Sequence, residues 1–360
     1  MEQHNTRLFY PLTFQPLYKN YIWGGRGLEK LGKKLLEGPV AESWEISAHS
    51  DGINIVADGP LSGKSLKDLA IEYPQSLLGS LSFQKYAEHF PLLFKLIDAN
   101  DWLSVQVHPQ DDYARIHEND SGKTEMWYVM DAQPGATILY GLTQKVTRTE
   151  LKKAIEDKTL STYLRSVPVK AGDVVYIPAG TIHAAGRGTL IAEVQQNSNA
   201  TYRLHDYDRK NPDGSFRPLH IDKALDTIDF ENATRRGDFK GLGYVKNGLK
   251  IQVIVADPHF CAELVEVEGK AQLTADGRSF MAYTFIKGSV EVSWKTGAKQ
   301  LSAGQSVLIP ASLGSYTLRG KAKALRAYVG DREEDILTPL RQAGYTLEDM
   351  TTHIGGLDIP

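Results

Sequence analysis

Cysteine is almost absent: Cys261 is the single one in 360 residues. An intramolecular disulfide and a thiolate metal centre are therefore excluded, which points to a reducing compartment and leaves any metal to nitrogen and oxygen ligands. No run of about 18 apolar residues occurs, and the opening segment MEQHNTRLFYPLTFQPLYKN lacks a basic stretch followed by an apolar core. The chain reads as cytoplasmic, with no membrane partner. An excess of one charge is lacking too. With 41 basic against 44 acidic residues, net -3, and no long Lys/Arg run, bulk attraction to nucleic acid is not expected. Glycines cluster in WGGRGLE from Trp23, but there is neither a G-x4-G-K-[ST] loop nor a strand-anchored G-x-G-x-x-G, so ATP and NAD are not supported.

What is present is an ordinary globular composition, 41% hydrophobic and 24% charged, in a chain long enough for two domains. Glycines and prolines punctuate short segments rich in Val, Ile, Tyr, Phe and Thr, the pattern of a mainly β protein. Two stretches depart from it. Ser65 opens SLKDLAIEY with an S-x-x-D start signal, and helical sequence runs to about residue 90. Thr147 and Glu150 stand in capping-box spacing at the head of TRTELKKAIEDKTLSTYLRS, which predicts a helix over 147–166.

An internal echo sets the domain plan. GDVVYIPAGTIH from Gly172 recurs as GQSVLIPASLGS from Gly304: a glycine turn, a buried strand, then a proline that ends the ladder. Two copies suggest a duplicated β-barrel. His183 in the first becomes Ser315 in the second, so the second unit reads as structural. KGLGYVKNG, rich in glycine and polar residues, reads as the boundary between 1–240 and 241–360.

The first unit carries a metal pattern. In LSVQVHP, Gln106 and His108 lie two apart and share one face of a strand. Glu125 heads another apolar strand and His183 follows the Pro178 turn. Two imidazoles, a carboxylate and an amide oxygen form a mixed set suited to a borderline divalent ion. Lys123, two residues before Glu125, points to the same face. His49 and His117 lack such pairing and are assigned no metal role.

These residues lead to a resemblance. GDVVYIPAGTIH is similar to the second motif of the cupin superfamily, and QVHP with Glu125 resembles the first, with Gln in place of one histidine. KNYIWGG, PLLFKL, LSVQVHP, GKTEMWY, PAGTIHA and QNSNATYRLHDYDR together resemble the short bacterial form of the type I mannose-6-phosphate isomerases. The resemblance implies two cupin, or jelly-roll, units, the first catalytic with helical insertions and the second degenerate. It further implies aldose-ketose isomerisation of a small sugar phosphate, mannose 6-phosphate to fructose 6-phosphate, with Zn2+ as the metal.

On the same resemblance Arg203 is the active-site arginine. Glu193 is the first-ranked proton carrier and Lys123 the second. Lys95, Ser104 and Arg209 are phosphate donors, and Trp23 an apolar wall for the sugar. Two alternatives stay open. His108, Glu125 and His183 could form the facial triad of an Fe(II) oxygenase, against which Gln106 and the phosphate-ready basic residues argue. A non-enzymatic sugar-binding cupin would keep a pocket without needing Arg203, against which the ligands kept in one barrel and lost in the other argue. The insert between His108 and Glu125 and the stretch from Thr147 are candidate lids. Oligomeric state is not legible.

Overall fold

Strands Leu92–Ala99, Glu125–Ala132 and Thr189–Gln196 are buried along nearly their whole length. The reason is that both faces are covered. Phe94, Leu96, Met126, Tyr128, Ala192 and Val194 pack to one side, while Ile97, Trp127 and Ile191 pack to the other, as the two-residue period of a strand requires. These three strands are the middle of a six-stranded sheet ordered Leu17–Lys19, Glu42–Ile46, Leu92–Ala99, Thr189–Gln196, Glu125–Ala132, Val174–Ile177. A five-stranded sheet ordered Tyr202–His205, Val105–Val107, His183–Ala184, Thr137–Leu142, Leu164–Pro168 faces it across the Ile97, Trp127 and Tyr140 core. This is a computed structural model, and it describes residues 9–211 and 213–357.

The second unit is one long antiparallel sheet ordered Leu242–Lys246, Leu249–Ala256, Cys261–Ala275, Gly314–Tyr328, Met281–Trp294, Gly297–Ser302, with Ser306–Ile309 also on Met281–Trp294. It carries its own core, from Leu249 and Val253 through Tyr283 to Leu340. The outer face of the six-stranded sheet packs on its other side, against Phe260, Phe280, Leu308 and Leu325. Each such side chain contributes on the order of 1.5–3 kcal/mol. The mainly β, two-unit architecture matches the expectation, and the repeated segments occupy equivalent places. Gly172 and Gly304 both adopt left-handed φ, 97° and 83°. The strands they launch, Val174–Ile177 and Ser306–Ile309, both pair antiparallel with a long neighbour. Among the described residues no helix is long and apolar enough to cross a membrane.

Two expectations need correction. The stretch near 60–90 is three short helices, Leu66–Glu72, Pro74–Leu78 and Ser80–Tyr86, broken at Pro74 and at Gly79, whose φ is 86°. The helix over 147–166 stops at Glu156, and the chain turns through Lys158 at φ 57° into a strand at Leu164. There Val167 pairs with Ile138, so sheet pairing overrides the helical pattern. In the glycine-rich segment, Leu242–Lys246 is the edge strand that opens the second sheet and Asn247-Gly248 is its hairpin turn, both residues at positive φ. Both helix starts hold. Ser65 accepts from the Asp68 amide, and Thr147 and Glu150 form a capping box. Thr147→Ala should cost about 1 kcal/mol, read as a lower urea midpoint at unchanged slope.

Candidate active site and metal centre

The alternation that buries the six-stranded sheet also builds the site. Lys95 shares its face with Ile97, Glu125 with Trp127, and Glu193 with Ile191. Charged residues thus enter the space between the sheets from strands that are otherwise apolar. Gln106 comes from the facing sheet, where it is the cross-strand partner of both His183 and Arg203. His108 follows directly after the strand Val105–Val107.

His108, Glu125 and His183 converge, fully buried, with one ligand atom from each inside a 4.8 Å span. The imidazole tautomers are set by the backbone. His108 Nδ1 donates to the Ala200 carbonyl at 2.9 Å and His183 Nδ1 to the Thr181 carbonyl at 2.9 Å, so both Nε2 lone pairs face Glu125. The Nε2 atoms lie 3.4 Å from Glu125 Oε2 and 3.2 Å from Oε1, respectively. Ligand atoms held tetrahedrally at about 2.0–2.1 Å from an ion stand about 3.3 Å apart. Both carboxylate oxygens are buried without a hydrogen bond. Burial, reinforced by the charge of Lys123, lowers His108 to about 3 and keeps it neutral. Burial works against the Glu125 charge, but the Lys123 ammonium outweighs it and holds the carboxyl well below its usual range. Two imidazole Nε2 atoms aimed at one buried, ionised carboxylate fit a divalent cation.

Gln106 is beside them, its Nε2 3.3 Å from His183 Nε2 and its Oε1 accepting from Ser104 Oγ at 3.2 Å. For the amide oxygen to serve as a fourth ligand the amide must turn over, an isosteric change. Lys123 lies with its ammonium 3.0 Å from Glu125 Oε2 and 3.1 Å from His108 Nε2.

A cleft opens beside this cluster. Of the residues expected there, Trp23, Lys95, Ser104, Gln106, Lys123, Glu193 and Arg203 line it. Trp23 stacks on Tyr21 with ring centroids 5.6 Å apart, so it is both wall and core. Glu193 accepts from Trp127 Nε1 at 2.7 Å and lies 3.1 Å from Lys95 Nζ. Burial, with the Glu125 charge added, raises its carboxyl above the usual range. Burial also disfavours the Lys95 charge, yet Glu193, Glu42 and Glu125 overcome it and raise the ammonium. Arg203 has a buried Nε without a partner and no carboxylate within ion-pair distance. Burial, and then the nearby Arg217, lower it slightly from its ordinary value.

Arg209 is a correction. It does not line the cleft, because Asp206 holds its guanidinium at 2.6 Å and the Trp102 carbonyl takes another donor. Arg217 takes the expected place. It lines the cleft and is held by Asp206 through Nε at 2.7 Å. Glu42, 3.8 Å from Lys95 Nζ, was missed as well. Its only signal was alternation in AESWEIS, and that of Arg217 was a tertiary partner eleven residues away. His49 sits 3.3 Å from Asp120 and His117 stacks on Tyr113, both away from the cluster. The insert after His108 holds a helix, Asp111–His117, with Asp111 bonded to Gly122 and Gln196.

Comparison with known proteins agrees with this geometry. The family described as phosphomannose isomerase type I, catalytic domain, matches residues 12–159, and that described as mannose-6-phosphate isomerase, cupin domain, matches 250–329. The mannose-6-phosphate isomerase ManA of Bacillus subtilis is 36% identical over 320 residues, 89% of this chain and 99% of that one. A Streptococcus mutans mannose-6-phosphate isomerase is 36% identical over 322 residues, 88% of this chain and 98% of its own length. The crystal structure of the Bacillus subtilis mannose 6-phosphate isomerase superposes with a TM-score of 0.82 at 34% identity, covering 89% of this chain and 99% of that one. The chain belongs to the type I phosphomannose isomerase family.

Proposed function

We propose that the chain interconverts mannose 6-phosphate and fructose 6-phosphate, with His108, Glu125, His183 and Gln106 holding Zn2+. The observation that carries this reading is the convergence, in one cleft, of an ion-ready His–Glu–His cluster, a guanidinium free of carboxylates and a second buried carboxyl. Isomerisation moves a proton between C2 and C1 of the open-chain sugar and passes through an enediolate. Zinc, when bound, supplies Lewis-acid stabilisation of charge on the adjacent oxygens, worth several kcal/mol.

The protein groups divide the remaining work. Glu193, its carboxyl raised by burial, carries the proton between the two carbons. Lys95 and Trp127 fix its position, and Glu42 keeps Lys95 charged. Arg203 presents paired donors to the enediolate and stays protonated throughout, so it stabilises charge and does not act as base. Lys123, beside Glu125 and on the cleft wall, would offer its ammonium to the sugar oxygens. Arg217 and Ser104 bind the phosphate, and Trp23 lies against the sugar face. Cys261, free and buried, is in keeping with a reducing, cytoplasmic setting.

A coupled assay of mannose 6-phosphate conversion tests this directly. Chelation should lower turnover at least about a hundredfold, the equivalent of the several kcal/mol assigned to the ion, and zinc should restore it. Turnover untouched by thorough metal removal would overturn the metal assignment. No turnover in zinc-replete protein would overturn the substrate.

A further inference from the structure

The second unit has lost the histidine at the repeated position, yet it is not solid inside. A cavity of about 160 Å3 opens at one end of its sheet, room for on the order of ten water molecules. Its floor repeats the plan of the first unit with the charges exchanged. In the first unit, Glu193 on the middle strand is flanked in register by Lys95 on one neighbour and Trp127 on the other. In the second, Arg326 is flanked by Glu263 on one neighbour and Tyr283 on the other. The sequence echo did not reveal this, because it ends before these positions.

The cavity differs from the first in what it offers. Arg326 Nε donates to Glu263 Oε2 at 2.7 Å and Tyr328 OH to Glu263 Oε1 at 3.0 Å, while Tyr283 and Tyr316 share a hydrogen bond of 2.8 Å. Burial raises the phenols of Tyr316 and Tyr328 well above their usual value, so they remain neutral hydroxyls. Tyr244 and Met281 supply apolar walls. Around the cavity, Arg326 pairs with Glu263, and Arg278 pairs with both Glu334 and Asp335 at 2.9 Å, so these charges are met within the protein. Among the described residues the only cluster of metal-ligating groups is the one in the first unit.

We propose that this cavity is a second binding site, for an uncharged hexose or similar polyol. Phenol rings and methionine take the apolar face of the ring. The neutral hydroxyls and the Glu263–Arg326 pair exchange hydrogen bonds with its hydroxyl groups. A phosphorylated sugar is disfavoured because the guanidinium groups of Arg326 and Arg278 are already held by carboxylates, which separates the ligand of this site from that of the first. The proposal does not depend on the reaction assigned to the first site.

Titration of the full chain with glucose, fructose and mannose, followed by saturation-transfer NMR, tests it. Arg326 is left intact, since removing one member of a buried pair is strongly destabilising. The test variants are Tyr244→Ala, on an edge strand, and Met281→Trp, which fills the cavity. Saturable binding of at least one free hexose is expected. It should persist in His183→Ala, weaken roughly tenfold in Tyr244→Ala and vanish in Met281→Trp, with isomerase turnover unchanged in the last two. The proposal is overturned if no hexose binds saturably or if binding is unchanged in both cavity variants. It is also overturned if mannose 6-phosphate occupies the site as well as the free sugar does. Failure of the isomerase assay alongside Tyr244-dependent hexose binding would remove the proposed reaction and leave this site standing.

Discussion

His183→Ala is expected to abolish tight metal binding and turnover together. Its Nε2 is one of the three ligand atoms that share a 4.8 Å span, and its tautomer is locked by the Thr181 carbonyl. Removing it leaves Glu125 with two buried oxygens faced by one imidazole and the Lys123 ammonium. That ammonium, already 3.0 Å from Oε2, is then the cheaper partner for the carboxylate. Loss of groups that merely orient a ligand costs about 10–100-fold in affinity, so loss of a ligand itself should exceed about a hundredfold. Metal content after gel filtration and turnover in the coupled assay are the measurements. A variant that retains both would remove His183 from the site.

Arg203→Ala should behave differently, keeping its metal and losing kcat by about 10²–10³-fold, the usual cost of removing one donor to a developing oxyanion. The basis is its position. Arg203 is the cross-strand partner of Gln106, lines the cleft with its Nε unpartnered, and among the described residues forms no ion pair. A guanidinium kept unpaired in a buried site is costly unless substrate completes it. Arg203→Lys restores the charge without the fork and should recover only part of the rate. If Arg203 served binding alone, KM would rise and kcat would stay. That outcome would move the stabilising role elsewhere in the cleft.

Residues whose role is set by local pattern were legible in the sequence, and residues whose role is set by a distant partner were not. Gln106 and His108 announce themselves by polar spacing on an apolar strand, and His183 by the glycine-strand-proline frame that the second copy repeats without it. Ser65 and Thr147 are read from capping spacing alone. Arg209 and Arg217 show the limit. Both are basic residues near Asp206, and only the fold decides that Asp206 and the Trp102 carbonyl take Arg209 while Arg217 lines the cleft. The stretch after Glu156 failed for the same reason. Its helical periodicity is real, but the free edge at Ile138 offers ladder hydrogen bonds that a local pattern does not register.

The buried outer face of the six-stranded sheet gives the second unit a meaning beyond its lost histidine. Phe94, Leu96, Met126 and Val194 are covered by Phe260, Phe280, Leu308 and Leu325, a contact of the kind that joins obligate protomers. The chain is in effect a dimer with one backbone. Its tether keeps the two halves at high effective concentration, so association never depends on how much protein the cell makes. The metal cluster lies in one half alone among the described residues, which leaves the interior of the other free to diverge.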